Sequence, residues 1–264
     1  MAMRHCWTLS VIAALGVSGT ALARESGTRE SGEVALDVRA EHGMSGPQVA
    51  ASVNLGLGAG YVYKHGTSRT GEDENLKVTD GAHASLPFLL ELGYRINSRV
   101  YVGVWGSWEL VFSRTNHISC PESFDCSNSQ WRFGPELRVH VAPESRFDPW
   151  VGLSMGMEIL KSHVKGTTQV PLPVVGPVPA HIDTKVTDRG ITYARLTFGA
   201  DFPVTDFLAV GPIGTASIGS YTVRSGDQTV TVSGFPSQTS PVGAVKDGVH
   251  ALFTLGLRGV FRSF

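Results

Sequence analysis

The chain has 264 residues, 42% of them hydrophobic, with 22 Lys and Arg against 23 Asp and Glu and a formal net charge of −1. Basic residues scattered at so even a balance exclude an electropositive nucleic-acid surface, so no nucleic-acid partner is expected. Past residue 23 no run reaches the roughly 20 apolar residues that a membrane helix needs, and 31 Gly with 14 Pro describe a turn-rich β protein of one domain.

Arg4 and His5 precede an apolar run over 7–17, and Ala21-Leu22-Ala23 fits a small-x-small cleavage site. Residues 1–23 therefore read as a signal peptide that is removed, Cys6 with it. Residues 24–46 are polar and charged and read as a flexible periplasmic N-terminal segment. Val34, Leu36 and Val38 are candidates there for a short extra strand.

From residue 47 the period becomes two. A first strand sets Val49, Ala51, Val53, Leu55, Leu57, Ala59, Tyr61 and Tyr63 on one face against Ser52, Asn54, Gly56, Gly58, Gly60 and Lys64. The second alternates Ala82, Ala84, Leu86, Phe88, Leu90, Leu92, Tyr94 and Ile96 with His83, Ser85, Glu91, Gly93 and Arg95. After the tight turn at Asn97-Ser98, a third offers Val100, Val102, Val104, Trp108, Leu110 and Phe112 against Tyr101, Ser107 and Glu109. A fourth sets Trp131, Phe133, Leu137, Val139 and Val141 against Arg132, Glu136, Arg138 and His140.

The fifth and sixth strands alternate Val151, Leu153, Met155, Met157 and Ile159 with Glu158 and small residues, then Ala194, Leu196, Phe198, Ala200 and Phe202 with Arg195 and Asp201. A weaker, Gly-rich seventh covers 208–221. The eighth, 248–264, alternates Ala251, Phe253, Leu255, Leu257, Gly259 and Phe261 with His250, Thr254, Arg258 and Arg262. Eight such strands exceed the about 9–11 residues needed to cross a bilayer, so their ends should project from it. Links at 97–98, 143–148 and 203–206 are short, whereas 64–80, 113–129, 162–188 and 222–247 are long. Short periplasmic turns alternating with long outer loops is the arrangement of outer-membrane barrels, and an even strand number returns both ends to one side.

The runs Phe147-Asp148-Pro149-Trp150-Val151-Gly152-Leu153, Leu92-Gly93-Tyr94-Arg95-Ile96 and Leu255-Gly256-Leu257-Arg258-Gly259-Val260-Phe261 resemble the small outer-membrane β-barrel proteins of Gram-negative bacteria, broadly OmpA-like in their transmembrane part. The resemblance spans 47–264, the barrel domain, and its motifs are structural, with no catalytic residues to carry over. It implies an all-β, eight-stranded antiparallel up-and-down transmembrane β-barrel in the cell outer membrane. Its expected partners are outer-membrane lipid and lipopolysaccharide and the barrel-assembly machinery, and the expected state is monomeric. Phe261 and Phe264 are the candidate C-terminal assembly signal, although Phe264 falls out of phase with the outward face.

Glu91, Arg95, Glu109, Arg132, Glu136, Arg138, His140, Glu158, Arg195, Asp201, Arg258 and Arg262 all fall on the phase opposite the apolar one. An eight-stranded barrel is only wide enough for side chains to fill. Enclosed charges are costly unless paired, so a ladder of acid–base pairs and a closed interior are expected.

Cys120 and Cys126, six residues apart in an outer loop, read as a disulfide in an oxidising compartment. With Asp125 or His117 they lack the ligand count of a metal site, so neither metal nor cofactor is expected. His117-Ile118-Ser119 offers a His-x-Ser pair without an orienting acid or an oxyanion site, which points away from an enzyme. The apolar, proline-rich stretch 170–179 favours an extended polyproline conformation, and Thr229-Val230-Thr231-Val232 fits a surface hairpin. The expected function is a structural or surface-interaction role in the envelope. The alternatives are a narrow porin-like pore or a carrier of small hydrophobic molecules through an outer vestibule, and a secreted lipocalin-type barrel with its apolar face inside.

Overall fold

A computed structural model describes residues 44–67, 73–114, 120–172, 176–243 and 245–263. The elements are β1 (Gly46–Thr67), β2 (Asp73–Lys77), α1 (Val78–Gly81), β3 (Ala82–Arg95), β4 (Val100–Ser113), β5 (Phe124–His140), β6 (Asp148–Leu172), β7 (Gly176–Pro203), β8 (Leu208–Val232), β9 (Gln238–Pro241) and β10 (Lys246–Arg262). Antiparallel ladders run from β1 to β3 and onward in chain order to β8, then from β8 to β10 and from β10 back to β1. Eight strands thus close a ring and leave no sheet edge around it. The short β2 and β9 fold back on β1 and β8 outside that ring.

The faces are assigned by burial. Along β1, Gln48, Ala50, Ser52 and Asn54 are buried, while Val53, Leu55 and Leu57 face outward, Leu55 with 66% of its surface exposed. Across the β1–β10 seam Leu255 and Leu257 are exposed in the same way, Leu257 at 74%. An apolar belt running round the circumference is unfavourable against water by about 25 cal/mol per Å² and is not a feature of soluble monomers. It matches hydrocarbon, so the barrel is built to span a bilayer, and the soluble lipocalin alternative is overturned because the charged face is the inner one. Aromatic side chains border the belt. Phe88, Trp108 and Trp131 form one cross-strand row, with ring centroids 5.7 and 6.4 Å apart. Nearer the short turns Phe147 packs on Phe202 at 5.4 Å.

The short turns close as their sequences dictate. Asn97 Oδ1 accepts the N–H groups of Arg99 and Val100 at 2.9 and 2.8 Å, an Asx turn that reverses β3 into β4. At the opposite end the strands run further than the period-two pattern predicts. β6 and β7 stay paired to Leu172–Gly176, so the 170–179 stretch is a ladder, with Pro171 opposite Pro177, in place of the expected polyproline segment. β5 begins at Phe124, inside the expected 113–129 loop, and Thr229 pairs with Thr239 across β8 and β9 as a surface hairpin.

β1 departs from strict alternation at its upper end. Gly60 takes a φ of 89°, which only glycine adopts without strain, and the register slips between Tyr61 and Tyr63. Tyr63 therefore turns toward the barrel mouth, under the Arg224 guanidinium at 4.4 Å, rather than outward as its spacing predicts. The β1–β3 ladder ends at the Gly56–Ser85 pair, and above it α1 and β2 occupy the place beside β1. The signal peptide, the 24–43 segment, the His117/Ser119 pair and Phe264 lie outside the described residues.

Candidate functional site

The barrel interior divides into two halves. In the half near the short turns, arginines and carboxylates from strands two apart in the ring meet in the interior. Glu91 of β3 accepts hydrogen bonds from Arg138 of β5 and Arg258 of β10, both at 2.6 Å. Arg138 also donates to Glu136 at 2.9 Å, Arg258 donates to Asp201 at 2.8 Å, and Arg195 stands 3.9 Å from Glu136. Three inward aromatic rings fill the space between these charges. Arg138 and Arg258 sit 4.1 and 4.9 Å from the Trp150 ring, Arg138 is 4.7 Å from Tyr101, and Arg195 is 4.3 Å from Trp105. Trp150 Nε1 donates to Asp201 at 3.2 Å. Burying a charge costs several kcal/mol unless it is paired, and the ion pairs and cation–π contacts offset that cost. Glycine makes the room: a Cβ on Gly199 would lie 2.5 Å from Trp150 Cζ2.

At the turn end Arg95 donates to the Ser98 carbonyl and to Asp148 at 3.3 Å, and His140 Nδ1 lies 2.8 Å from the same Asp148 oxygen. His140, Asp148 and Asp201 bring one potential ligand atom each to within 4.8 Å of one another. Both carboxylates already hold a guanidinium, Arg95 on Asp148 and Arg258 on Asp201, so this group is a set of ion-pair acceptors.

Midway up, Arg132 is hydrogen-bonded to Glu109 and donates to Ser217 at 3.2 Å. Beside it His250 Nε2 lies 3.1 Å from Glu158 Oε1, and the His250 ring stacks on Tyr221 at 4.5 Å. Tyr221 accepts a hydrogen bond from Gln130 at 2.9 Å. These side chains floor a cavity of about 600 Å³ in the loop-end half, walled by Val62, Val111, Phe124, Leu160, Ile182 and Leu252 among others. At its rim Arg224 is bound twice by Asp188, at 2.7 and 3.0 Å. An apolar wall over a few convergent polar groups, at this volume, has the form of a small-molecule site, for which about 300–1,000 Å³ is usual.

Eleven of the charged residues expected inside are buried, and the twelfth, Arg262, is half-buried 3.9 Å from Asp201. Phe261 faces outward. Cys120 and Cys126 are bonded to one another, with 6.0 Å between their Cα atoms. The periodicity missed Asp148, Asp188 and Arg224 as interior partners and Trp105 and Trp150 as interior filling, whereas Tyr101 and His250 stand buried on the polar phase assigned to them. Asp148 and Trp150 do stand in phase with inward Ser154 and Glu158, a signal hidden by their place at a turn.

No known family profile matches the chain, and no curated protein does. Among solved structures, Neisserial surface protein A overlaps 81% of this chain and 97% of its own at 14% identity, with a TM-score of 0.38. The outer membrane protein OprG from Pseudomonas aeruginosa overlaps 83% and 96% at 7% identity and TM-score 0.45. The outer membrane protein AlkL overlaps 92% and 98% at 13% identity and TM-score 0.41. At these identities and scores the likeness carries no argument about what the chain does.

Proposed function

We propose that the chain is an outer-membrane β-barrel of a Gram-negative bacterium whose outward vestibule takes up small apolar molecules, above an interior closed to ions. The observation that carries this reading is the coexistence of the two halves: an apolar cavity of about 600 Å³ standing on a floor of paired charges. A barrel serving only as a wall has no use for a cavity, and a pore needs a water path where Arg138, Glu91 and Arg258 now hold one another. The reading involves no reaction and no cofactor.

Binding of N-phenyl-1-naphthylamine to the protein in nanodiscs, against empty nanodiscs, tests it. A saturable component that Leu160→Glu removes supports the vestibule; its absence in the unsubstituted protein overturns it. A second reading, a surface-interaction role, is favoured by the β6–β7–β8 wall beyond the barrel and the disulfide-pinned 120–126 segment. It predicts that shortening the 165–183 hairpin abolishes a cell-surface phenotype without changing probe binding.

A further inference from the structure

The floor of the vestibule holds one hydrogen bond that leaves both of its partners with bonding capacity unused. Tyr221 of β8 and Gln130 of β5 stand three strands apart in the ring, and Gln130 Nε2 donates to the Tyr221 hydroxyl at 2.9 Å, so the contact spans the floor. Both residues line the cavity. The Tyr221 ring is fixed by its stacking on His250, with centroids 4.5 Å apart. A phenol that accepts one hydrogen bond still has a proton to give, and an amide that donates still has a carbonyl oxygen to accept with. Among the described residues the Tyr221 O–H meets no acceptor and Gln130 Oε1 meets no donor. Turning the amide over makes Tyr221 the donor to Oε1, and again one donor and one acceptor are left unused.

Charge at the same cavity is already matched. Arg132 is paired with Glu109, Glu158 with His250, and Arg224 with Asp188. The remaining nitrogen of His250, Nδ1, is fully buried and so out of reach of the cavity. A charged ligand would therefore have to break a buried pair, which is costly. An uncharged hydroxyl needs only the donor and the acceptor that the floor presents. Above them the walls are apolar, with Val62, Val111, Leu160 and Leu252. A plain hydrocarbon would fit those walls but would shut the Tyr221–Gln130 pair off from water with its capacity unmet, and a buried polar group without a partner carries a penalty.

We infer that the vestibule selects small apolar molecules bearing one uncharged hydroxyl, an alcohol or a phenol, over the corresponding hydrocarbon, with Tyr221 and Gln130 recognising the head group. The ligand hydroxyl accepts from Tyr221 and donates to Gln130, and the apolar body lies along the wall above. The inference rests on the vestibule reading above.

The test sets naphthalene against 1-naphthol as competitors of N-phenyl-1-naphthylamine for the protein in nanodiscs at neutral pH. For each protein the ratio of the two competing concentrations is taken, and dividing the unsubstituted protein's ratio by a variant's cancels the partition of either solute into lipid. That quotient should be about tenfold for Tyr221→Phe, which deletes the hydroxyl and keeps the ring, the size of one lost hydrogen bond. Gln130→Leu, which keeps the bulk and removes the amide, should give about fivefold. Naphthalene occupies the same walls, so general damage to the cavity weakens both competitors and leaves the quotient near one. Quotients near one for both variants, with saturable probe binding intact, overturn the head-group recognition and leave the vestibule standing. Absence of saturable probe binding in the unsubstituted protein overturns the vestibule and this inference with it.

Discussion

The two halves of the barrel are enclosed by the same eight strands and so share one width, yet one is solid and the other hollow. In the turn-end half the inward positions carry Arg138, Arg195, Arg258, Trp105 and Trp150, long or broad side chains that fill the interior and meet partners from other strands. In the loop-end half the inward positions carry Val111, Leu160, Ile182 and Ser217, which stop short of the axis. Strand number fixes the envelope, and side-chain reach decides whether that envelope holds a plug or a pocket.

This contrast can be broken from either side, and the plug should break hardest. Glu91→Ala leaves Arg138 and Arg258 sharing a buried site with one fewer acceptor, and removing one partner from a buried pair costs about 3–5 kcal/mol. Denaturant unfolding followed by heat-modifiable gel mobility should show a much lower midpoint. Gly199→Val drives a methyl into the Trp150 ring and should cost about 1–3 kcal/mol by overpacking, read in the same assay. The hollow half answers differently. Leu160→Glu should weaken N-phenyl-1-naphthylamine binding about tenfold or more, as an unpaired charge in an apolar wall does, with a smaller change in midpoint than Glu91→Ala. Conductance sharpens the boundary: planar bilayers should show no steady current for the native chain and a small one for the Glu91→Ala/Arg138→Ala double variant. The least effect belongs to Cys120→Ser/Cys126→Ser, which should speed proteolysis of the 120–126 segment and move the barrel midpoint by no more than about 0.5 kcal/mol.

The wall was easier to read from sequence than what it contains. Outward Leu, Val and Phe alternating with Glu91, Arg138 or Arg258 is a pattern that only a two-faced strand produces, so strand order, strand phase and most inward charges follow from it. Pairing partners do not follow, because Glu91 and Arg258 come from the two strands that flank β1, 167 residues apart. The ladder above the membrane was illegible for a different reason. The inward positions there mix Val164, Ile182 and Val186 with Ser162, Thr184 and Asp188, so Lys161–Thr168 and Ile182–Arg189 carry no continuous apolar stripe and read as loop. The vestibule draws its walls from those same segments. The β1–β3 seam depends on Gly60, a register slip and a four-residue helical turn, and none of these has a period.

The strands also differ in height. β6, β7 and β8 have 25, 28 and 25 residues, while β3 and β4 have 14 each. The rim is therefore lopsided: a tall parapet of β6, β7 and β8 stands over one part of the mouth, and β3 and β4 are its lowest part. The molecule has a front and a back, and whatever arrives from solution meets the parapet first, whereas a neighbour lying in the bilayer can come up against the low side.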